Sequence, residues 1–177
     1  MNLSGRVQNI AQSEIRAMSI ICHEKQGLNM AQGICDLDVP LVVKEGAKEA
    51  VENGQNIYTS AYGNLRLRQA IAKKQNDFYN QEISANNILV SSGATGAFYC
   101  TAMSLLNEGD EVILYAPYWV SYPDIVKLAD ATPVIVEGDI SQSFKITHEQ
   151  LQHAITAKTN MVIINSPSNP PDKAYSR

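Results

Sequence analysis

From residue 88 onward, short apolar runs alternate with helix-like segments, and only short connections separate them. The apolar runs are typical of buried strands and cover residues 88–90, 111–115, 133–136 and 161–164. The helix-like segments cover residues 93–106, 122–129 and 148–157. This order predicts a mostly parallel sheet, because parallel neighbours need a crossover connection that is usually a helix. We therefore expect an α/β fold with helices on both faces of the sheet.

The chain before residue 88 follows a different pattern. Helical periodicity is predicted over residues 12–25, 42–52 and 65–79, with irregular segments between them. Asn64 is expected to cap the third of these helices, and Thr147 with Gln150 three residues on predicts a capping box at the helix that begins at His148. The change of pattern indicates an irregular N-terminal arm up to about residue 45, followed by an α/β body.

Composition and charge exclude several classes of function. The 177 residues carry a net charge of −4 with scattered Lys and Arg, which disfavours nucleic-acid binding. No apolar run approaches the roughly 18–20 residues that span a bilayer. No apolar stretch follows a basic start at the N-terminus, so no secretory signal is predicted. We expect a cytoplasmic protein that binds neither nucleic acid nor membrane.

Cysteine and histidine spacing predicts no metal site. Cys22, Cys35 and Cys100 match neither a zinc pattern nor a disulfide framework and are expected to be reduced thiols. The three histidines show no ligand-like spacing with a second ligand.

Residues 91–97 (SSGATGA) lie between a predicted strand and an apolar helix. Gly93 and Ala94 let the backbone approach a ligand closely, and Thr95 adds a hydroxyl donor. The first N–H groups of a helix lack intrahelical partners and favour an anion. This is an adequate phosphate cradle, although it is neither a P-loop nor a dinucleotide fingerprint. Taken alone, it could equally be a tight strand-to-helix turn with no ligand.

Two further loops follow predicted strands. Trp119, the only tryptophan, lies after the strand at 111–115, where its face could stack on a planar ring or simply cover the core. Asn169 follows the strand at 161–164, where its amide could bind a ligand or form an Asn-Pro turn with Pro170. Loops that follow parallel strands meet at one edge of the sheet. A phosphate cradle, an aromatic ring and an amide at one edge together suggest a phosphorylated aromatic cofactor.

These motifs resemble the N-terminal half of class I/II aminotransferases, the pyridoxal-phosphate enzymes of the aspartate aminotransferase fold (fold type I). The matching segments occur in order at 29–33 (NMAQG), 36–40 (DLDVP), 58–59 (YT) with Gly63, 67–72 (LRQAIA), 92–97 (SGATGA), 109–112 (GDEV), 117–123 (PYWVSYP) and 165–170 (NSPSNP). The resemblance implies an N-terminal arm with part of the small domain at 1–45. It also implies an incomplete pyridoxal-phosphate-binding large domain at 46–177.

The resemblance implies a role for each matching residue. Gly93, Ala94 and Thr95 would bind the phosphate of pyridoxal 5'-phosphate, and Trp119 would stack on its ring. Asn169 would hydrogen-bond the phenolic oxygen of the ring. Tyr58 would reach the phosphate of the neighbouring subunit in a homodimer, and Gly33 would lie against the substrate carboxylate. Trp119 and Asn169 would also contact the substrates, which would be an amino acid and a 2-oxo acid.

Two departures from the family pattern carry expectations of their own. The family usually continues Asn-Pro-Thr-Gly, whereas Pro171 and Asp172 follow Pro170 here, so this turn is expected to differ. The family's Schiff-base lysine lies well downstream of this motif, and none of the lysines in the 177 residues is its counterpart. Three further residues of the family also lie downstream. They are the carboxylate that keeps the pyridine nitrogen protonated, a second residue that binds the phosphate, and the arginine that binds the substrate carboxylate. We therefore expect no catalytic residue in this chain, which would be a fragment, a truncated gene product or one piece of a longer enzyme, inactive alone.

The candidate lysines of the chain are assigned to solvated surfaces. Lys127, Lys145, Lys158 and Lys173 are expected on helix surfaces or near the end of the chain. Two alternatives stay open at this point. A carbon–sulfur lyase would use the same N-terminal motifs, and a non-catalytic α/β module would bind a partner or a phosphate ligand.

Overall fold

The computed structural model describes residues 2–8, 10, 13–33, 35–170 and 173–175. The chain divides into two compact units, one formed by Met1–Glu14 with Thr95–Arg177 and the other by Ile15–Ala94. The boundary predicted near residue 45 stays a prediction. Pro171 and Asp172, where the turn was expected to differ, lie outside the described residues.

The first unit is built on a three-stranded parallel sheet. Its strands are β1 (Glu111–Ala116), β2 (Thr132–Glu137) and β3 (Thr159–Ile163), in the spatial order β2-β1-β3. In register, Ile113 lies opposite Val134 on β2 and Val162 on β3. The predicted parallel α/β fold is confirmed.

Both faces of the central strand β1 are covered. Val112 and Leu114 belong to a buried cluster on one face that includes Ala102, Ile125 and Val126. Ile113 points to the opposite face, because side chains alternate along a strand, and it is also fully buried. Burial on both faces explains why the sequence of β1 is a continuous apolar run and does not alternate between apolar and polar residues.

Six α-helices are present in the described part of the chain. They are α1 (Glu14–Glu24), α2 (Leu41–Glu52), α3 (Leu65–Tyr79), α4 (Gly93–Leu105), α5 (Tyr122–Leu128) and α6 (His148–Ala154). Asn64 caps α3 as predicted, its side-chain oxygen accepting from the N–H groups of Arg66 and Leu67 at 2.9 and 3.3 Å. None of these helices is long and apolar enough to cross a membrane.

Helix α6 is shorter than the predicted span of 148–157. Ile155 has an extended backbone with ψ of 127°, so the helix ends before it. The N–H of Thr156 donates to the hydroxyl of Thr159 at 2.9 Å rather than to a helical carbonyl. This local side-chain acceptor competes with the helix and starts the turn into β3.

The predicted strand at residues 88–90 was wrong as a sheet strand. The backbone at Ile88 is extended, but these residues join no ladder among the described strands. The N–H of Val90 instead donates to the carbonyl of Tyr62 at 3.0 Å, inside the second unit. An apolar run identifies an extended, partly buried segment, but it carries no information about whether a neighbouring strand is there to pair with it.

Removing the N-cap of α6 is expected to lower the stability of the first unit modestly. The predicted capping box is confirmed: Thr147 Oγ1 accepts from the N–H of Gln150 at 3.2 Å, and Gln150 Oε1 accepts from the N–H of Thr147 at 2.9 Å. Thr147→Ala should lower the free energy of unfolding by about 1 kcal/mol in urea titrations followed by Trp119 fluorescence. Thr147→Ser keeps the hydroxyl acceptor, so its free energy of unfolding should stay near that of wild type. Equal losses in both variants would contradict the capping role.

Candidate active site at the carboxyl edge of the sheet

The first turn of α4 provides the candidate phosphate cradle. Gly93 begins the helix with φ of +72°, a conformation that favours glycine, and its N–H donates to the carbonyl of Ser91 at 2.8 Å. The hydroxyl of Ser91 donates to the carbonyl of Gly93 at 3.1 Å, which stiffens the turn. Gly93, Ala94 and Thr95 are all exposed, and the N–H groups that follow Gly93 in the first turn have no intrahelical carbonyl to bond.

Three aromatic rings connect α4 to the loop after β1. Phe98 lies one turn after Thr95 on α4 and packs edge-to-face on Tyr122, with ring centroids 5.5 Å apart. Tyr122 in turn packs edge-to-face on Trp119, again at 5.5 Å. All three rings pack against the buried cluster of the first unit. Trp119 is therefore half-buried and held in one orientation by Tyr122, which also packs on Phe98 of α4.

The loops after the three strands meet in a cleft at the carboxyl edge of the sheet. The lining residues come from β1, from β3, from the first residue of α5 and from the segments that follow the three strands, and they are Leu114, Tyr115, Pro117, Tyr118, Tyr122, Phe144, Lys145, Ile163, Asn165, Ser168, Lys173 and Tyr175. This is the edge at which open α/β sheets bind their ligands. Trp119 and Asn169 lie in two of these loops, beside the lining residues Tyr118 and Ser168.

Asn169 is placed by its neighbour Asn165. In the orientation of the Asn165 amide that satisfies both of its ends, the amide nitrogen donates to the carbonyl of Pro167 at 3.2 Å. The amide oxygen then accepts from the backbone N–H of Asn169 at 3.1 Å. The side chain of Asn169 is exposed and free to meet a ligand, while its backbone is tied down.

Tyr58 and Gly33 belong to the second unit. Tyr58 is fully exposed, with 104% of its reference surface accessible. Gly33 is also exposed, and a Cβ built on it would meet nothing within 4 Å. The roles assigned to these two residues by resemblance stay predictions.

The lysines lie in places that differ in part from expectation. Lys127 is on α5 as predicted, with its ammonium 3.7 Å from the carboxylate of Asp124. Lys145 and Lys158 lie in loops rather than on helix surfaces, because α6 is bounded by His148 and Ala154. Lys145 reaches the cleft, where its Nζ lies 6.0 Å from the ring centroid of Tyr175, a cation–π distance.

Two residues at this edge were not predicted from the sequence. Gly138 follows β2 and donates its N–H to the carbonyl of Ala116 at 3.0 Å. A Cβ there would lie 2.6 Å from the carbonyl oxygen of Phe144 and 2.8 Å from that of Ala116. Tyr175 accepts a hydrogen bond from the N–H of Ile146 at 2.9 Å, across 29 residues of chain. A glycine two residues after the predicted strand at 133–136 was a usable signal for Gly138, whereas no local pattern singles out Tyr175.

Two ionisable groups at this edge have shifted pKa values. Burial of the phenol, with a further contribution from nearby Tyr175, raises the pKa of Tyr115 above its ordinary value. Hydrogen bonds from the hydroxyl and the N–H of Ser141 lower the pKa of Asp139. Tyr115 is therefore a neutral phenol at physiological pH, and Asp139 is a carboxylate that organises the loop after β2.

Residues 25–177 match the protein family described as aminotransferase class I and II. The aspartate/prephenate aminotransferase of Nitrosomonas europaea is 41% identical over 181 residues, which cover 99% of this chain and 46% of that protein. The aspartate aminotransferase of a Bacillus species (strain YM-2) is 41% identical over 180 residues, with the same two coverages. The chain thus spans about half the length of the curated relatives it matches.

Solved structures agree with the sequence comparison. The aspartate aminotransferase of Thermus thermophilus with maleate superposes with a TM-score of 0.94 at 33% identity, over 100% of this chain and 48% of that one. The aspartate aminotransferase of Rhizobium meliloti superposes with a TM-score of 0.92 at 35% identity, over 99% of this chain and 45% of that one.

Proposed function

Because the chain belongs to the class I and II aminotransferase family, we propose that it supplies the cofactor-binding part of a pyridoxal-phosphate-dependent aminotransferase. The reaction proposed for the whole protein moves an amino group between an amino acid and a 2-oxo acid. When bound, pyridoxal phosphate supplies the electron sink for the carbanion that such a transfer requires. The residues of this chain bind and orient it.

The residues present fit a flat, anionic cofactor. Gly93, Ala94 and Thr95 would hold the phosphate at the exposed beginning of α4, where the helix dipole favours negative charge. Trp119 would face the ring, and the amide of Asn169 would donate to its phenolic oxygen. The assignments of Trp119 and Asn169 rest on their loops at one edge of the sheet, and that of Gly93, Ala94 and Thr95 rests on their exposure at the beginning of α4.

The aromatic contacts from Phe98 through Tyr122 to Trp119 are the observation that carries this proposal. They fix a flat side chain in the loop after β1 and link it to Phe98, one turn past Thr95, within the same compact unit. A phosphate cradle by itself would accept many anions. A rigid aromatic face linked through Tyr122 to a residue of the same helix favours an anion attached to a planar ring.

Aspartate is the amino donor we propose, since the relatives quoted above carry aspartate in their names. The Thermus thermophilus structure with maleate, a dicarboxylate, supports a substrate with two carboxylates. Gly33 would lie against the substrate carboxylate. Tyr58 would reach the cofactor phosphate of a partner subunit in a homodimer, and its full exposure in this chain agrees with such a role.

No lysine of this chain is assigned the covalent role in the proposed chemistry. Lys127 is held by Asp124 on α5, and Lys145 faces the ring of Tyr175. We propose that the 177 residues bind the cofactor without covalent attachment and do not turn over substrate alone. Steady 2-oxo acid production by this chain with pyridoxal phosphate and aspartate would contradict this.

Binding is best tested with pyridoxine 5'-phosphate, which lacks the aldehyde and cannot react with surface lysines. We expect it to quench the fluorescence of Trp119, the only tryptophan, in a saturable way. Pyridoxine without phosphate should bind at least about tenfold more weakly, because charge-assisted hydrogen bonds at the helix beginning are lost. Thr95→Val should weaken binding of the phosphate form about fivefold, the value of one hydrogen bond.

Thr101→Val provides the matched control for Thr95→Val. Thr101 lies on the same helix, but its hydroxyl donates to the carbonyl of Ala97 at 2.9 Å, away from the first turn. Thr101→Val should therefore bind pyridoxine 5'-phosphate with the affinity of wild type. Equal quenching by pyridoxine with and without phosphate would remove the cradle assignment.

A further inference from the structure

A short segment, residues 173–175, is hydrogen-bonded to the loop that carries Asn169. The N–H of Ser168 donates to the carbonyl of Lys173 at 3.0 Å, and the N–H of Lys173 donates back to the hydroxyl of Ser168 at 3.2 Å. The N–H of Tyr175 donates to the hydroxyl of Ser166 at 3.1 Å. The loop after β3 is therefore held on both sides of Pro167.

The side chain of Tyr175 links this loop to the other two strands. Its hydroxyl accepts from the N–H of Ile146, in the loop after β2. Its ring lies 6.4 Å from the ring of Tyr115 on β1 and under the ammonium of Lys145. One residue thus contacts β1 and the loop after β2, and is bonded through its backbone to the loop after β3.

The geometry points to Tyr175 as a positioning residue for Asn169, an inference that rests on the proposed function of Asn169. The loop after β3 has its own bond from Asn165 to the N–H of Asn169, which sets the local turn. Tyr175 determines where that turn lies relative to β1 and the loop after β2. Asn169 and Trp119 can contact one ligand only if the loop after β3 keeps a fixed position relative to β1 and the loop that follows it. The contact between Tyr175 and Tyr115 of β1 fixes that position.

The hydroxyl of Tyr175 can be tested separately from its ring. Tyr175→Phe keeps the contact with Tyr115 and removes the acceptor for Ile146. Amide hydrogen exchange should become about tenfold faster at Ile146 and at Asn169, while the amides of β1 keep their rates. Affinity for pyridoxine 5'-phosphate, followed by Trp119 quenching, should fall about fivefold. Tyr79→Phe, at an exposed tyrosine that ends α3, is the matched control and should change neither readout.

The outcomes separate the two proposals. Unchanged exchange at Asn169 in Tyr175→Phe overturns the positioning role, whatever the cofactor affinity. Faster exchange at Asn169 with unchanged affinity for pyridoxine 5'-phosphate also overturns it, because the displaced loop then does not matter for binding. If wild type shows no quenching at all, the proposed function fails. Faster exchange confined to Ile146 and Asn169 then still supports the link from Tyr175 to the loop.

Discussion

Gly138→Ala is expected to destabilise the first unit by about 3 kcal/mol, the upper range for overpacking a single site. The added Cβ would lie 2.6 Å from the carbonyl oxygen of Phe144 and 2.8 Å from that of Ala116, and both neighbours are backbone. Backbone atoms cannot rotate away as a side chain does. The N–H of Phe144 is also bonded to the carbonyl of Asp139 at 2.8 Å, so the loop after β2 must move as a whole.

Urea unfolding followed by Trp119 fluorescence measures the loss of stability in Gly138→Ala, because Gly138 and Trp119 belong to the same unit. The same variant should also weaken quenching by pyridoxine 5'-phosphate, because the loop after β2 forms one side of the cleft. Gly5→Ala is the control in the same unit, since a Cβ at Gly5 would meet nothing within 4 Å. Identical unfolding midpoints for the two variants would show that the close approach at Gly138 is tolerated.

Gly63→Ala should lower the free energy of unfolding of the second unit by a similar amount, for two separate reasons. Gly63 has φ of +96°, which L-residues rarely adopt and which costs about 1–2 kcal/mol. Its added Cβ would lie 2.6 Å from Cβ and 2.7 Å from Cγ2 of Val90. Valine is stiff at χ1, so the contact cannot be relieved by a rotamer change alone. We expect a total loss of about 3 kcal/mol.

Amide exchange at Val90 is the appropriate measurement, because Trp119 lies in the other unit and Val90 donates to Tyr62 beside Gly63. Gly46→Ala is the matched control. Gly46 lies inside α2, and an added Cβ there would meet nothing within 4 Å, so alanine should stabilise the helix by about 1 kcal/mol. Opposite signs for the two glycine-to-alanine changes are the expected result. Adding Val90→Ala to Gly63→Ala should rescue little, since the closest contact is with Val90 Cβ itself.

The agreement between sequence and structure is best where the signal is local. The cap at Asn64 and the capping box of Thr147 with Gln150 involve neighbours three residues apart or fewer, so their pattern is complete in the sequence. The strand at β1 was equally clear, because burial on both faces leaves a continuous apolar run. Residues 88–90 have a similar composition yet pair with no strand in the described chain. Pairing depends on a partner that the run itself does not encode.

Trp119 and Asn169 show the same difference between what local sequence predicts and what distant contacts decide. Their position after two parallel strands could be predicted, since the carboxyl ends of parallel strands lie at one edge. The contacts that hold them could not be predicted. Tyr122 fixes Trp119 through ring packing, and Tyr175 meets Ile146 across 29 residues of chain. Such contacts depend on how the loops fold back over the sheet.

The order of β1, β2 and β3 with the helices between them, and the glycine-rich beginning of α4, were therefore determined by the amino-acid sequence alone, because periodicity and capping act over a few residues. The tertiary structure alone decided the close approach at Gly138, the contacts of Tyr175 and the absence of a partner for residues 88–90 among the described strands. Each of these depends on distances between segments that are far apart in the chain. Such distances exist only after the strands have paired and the helices have packed on them.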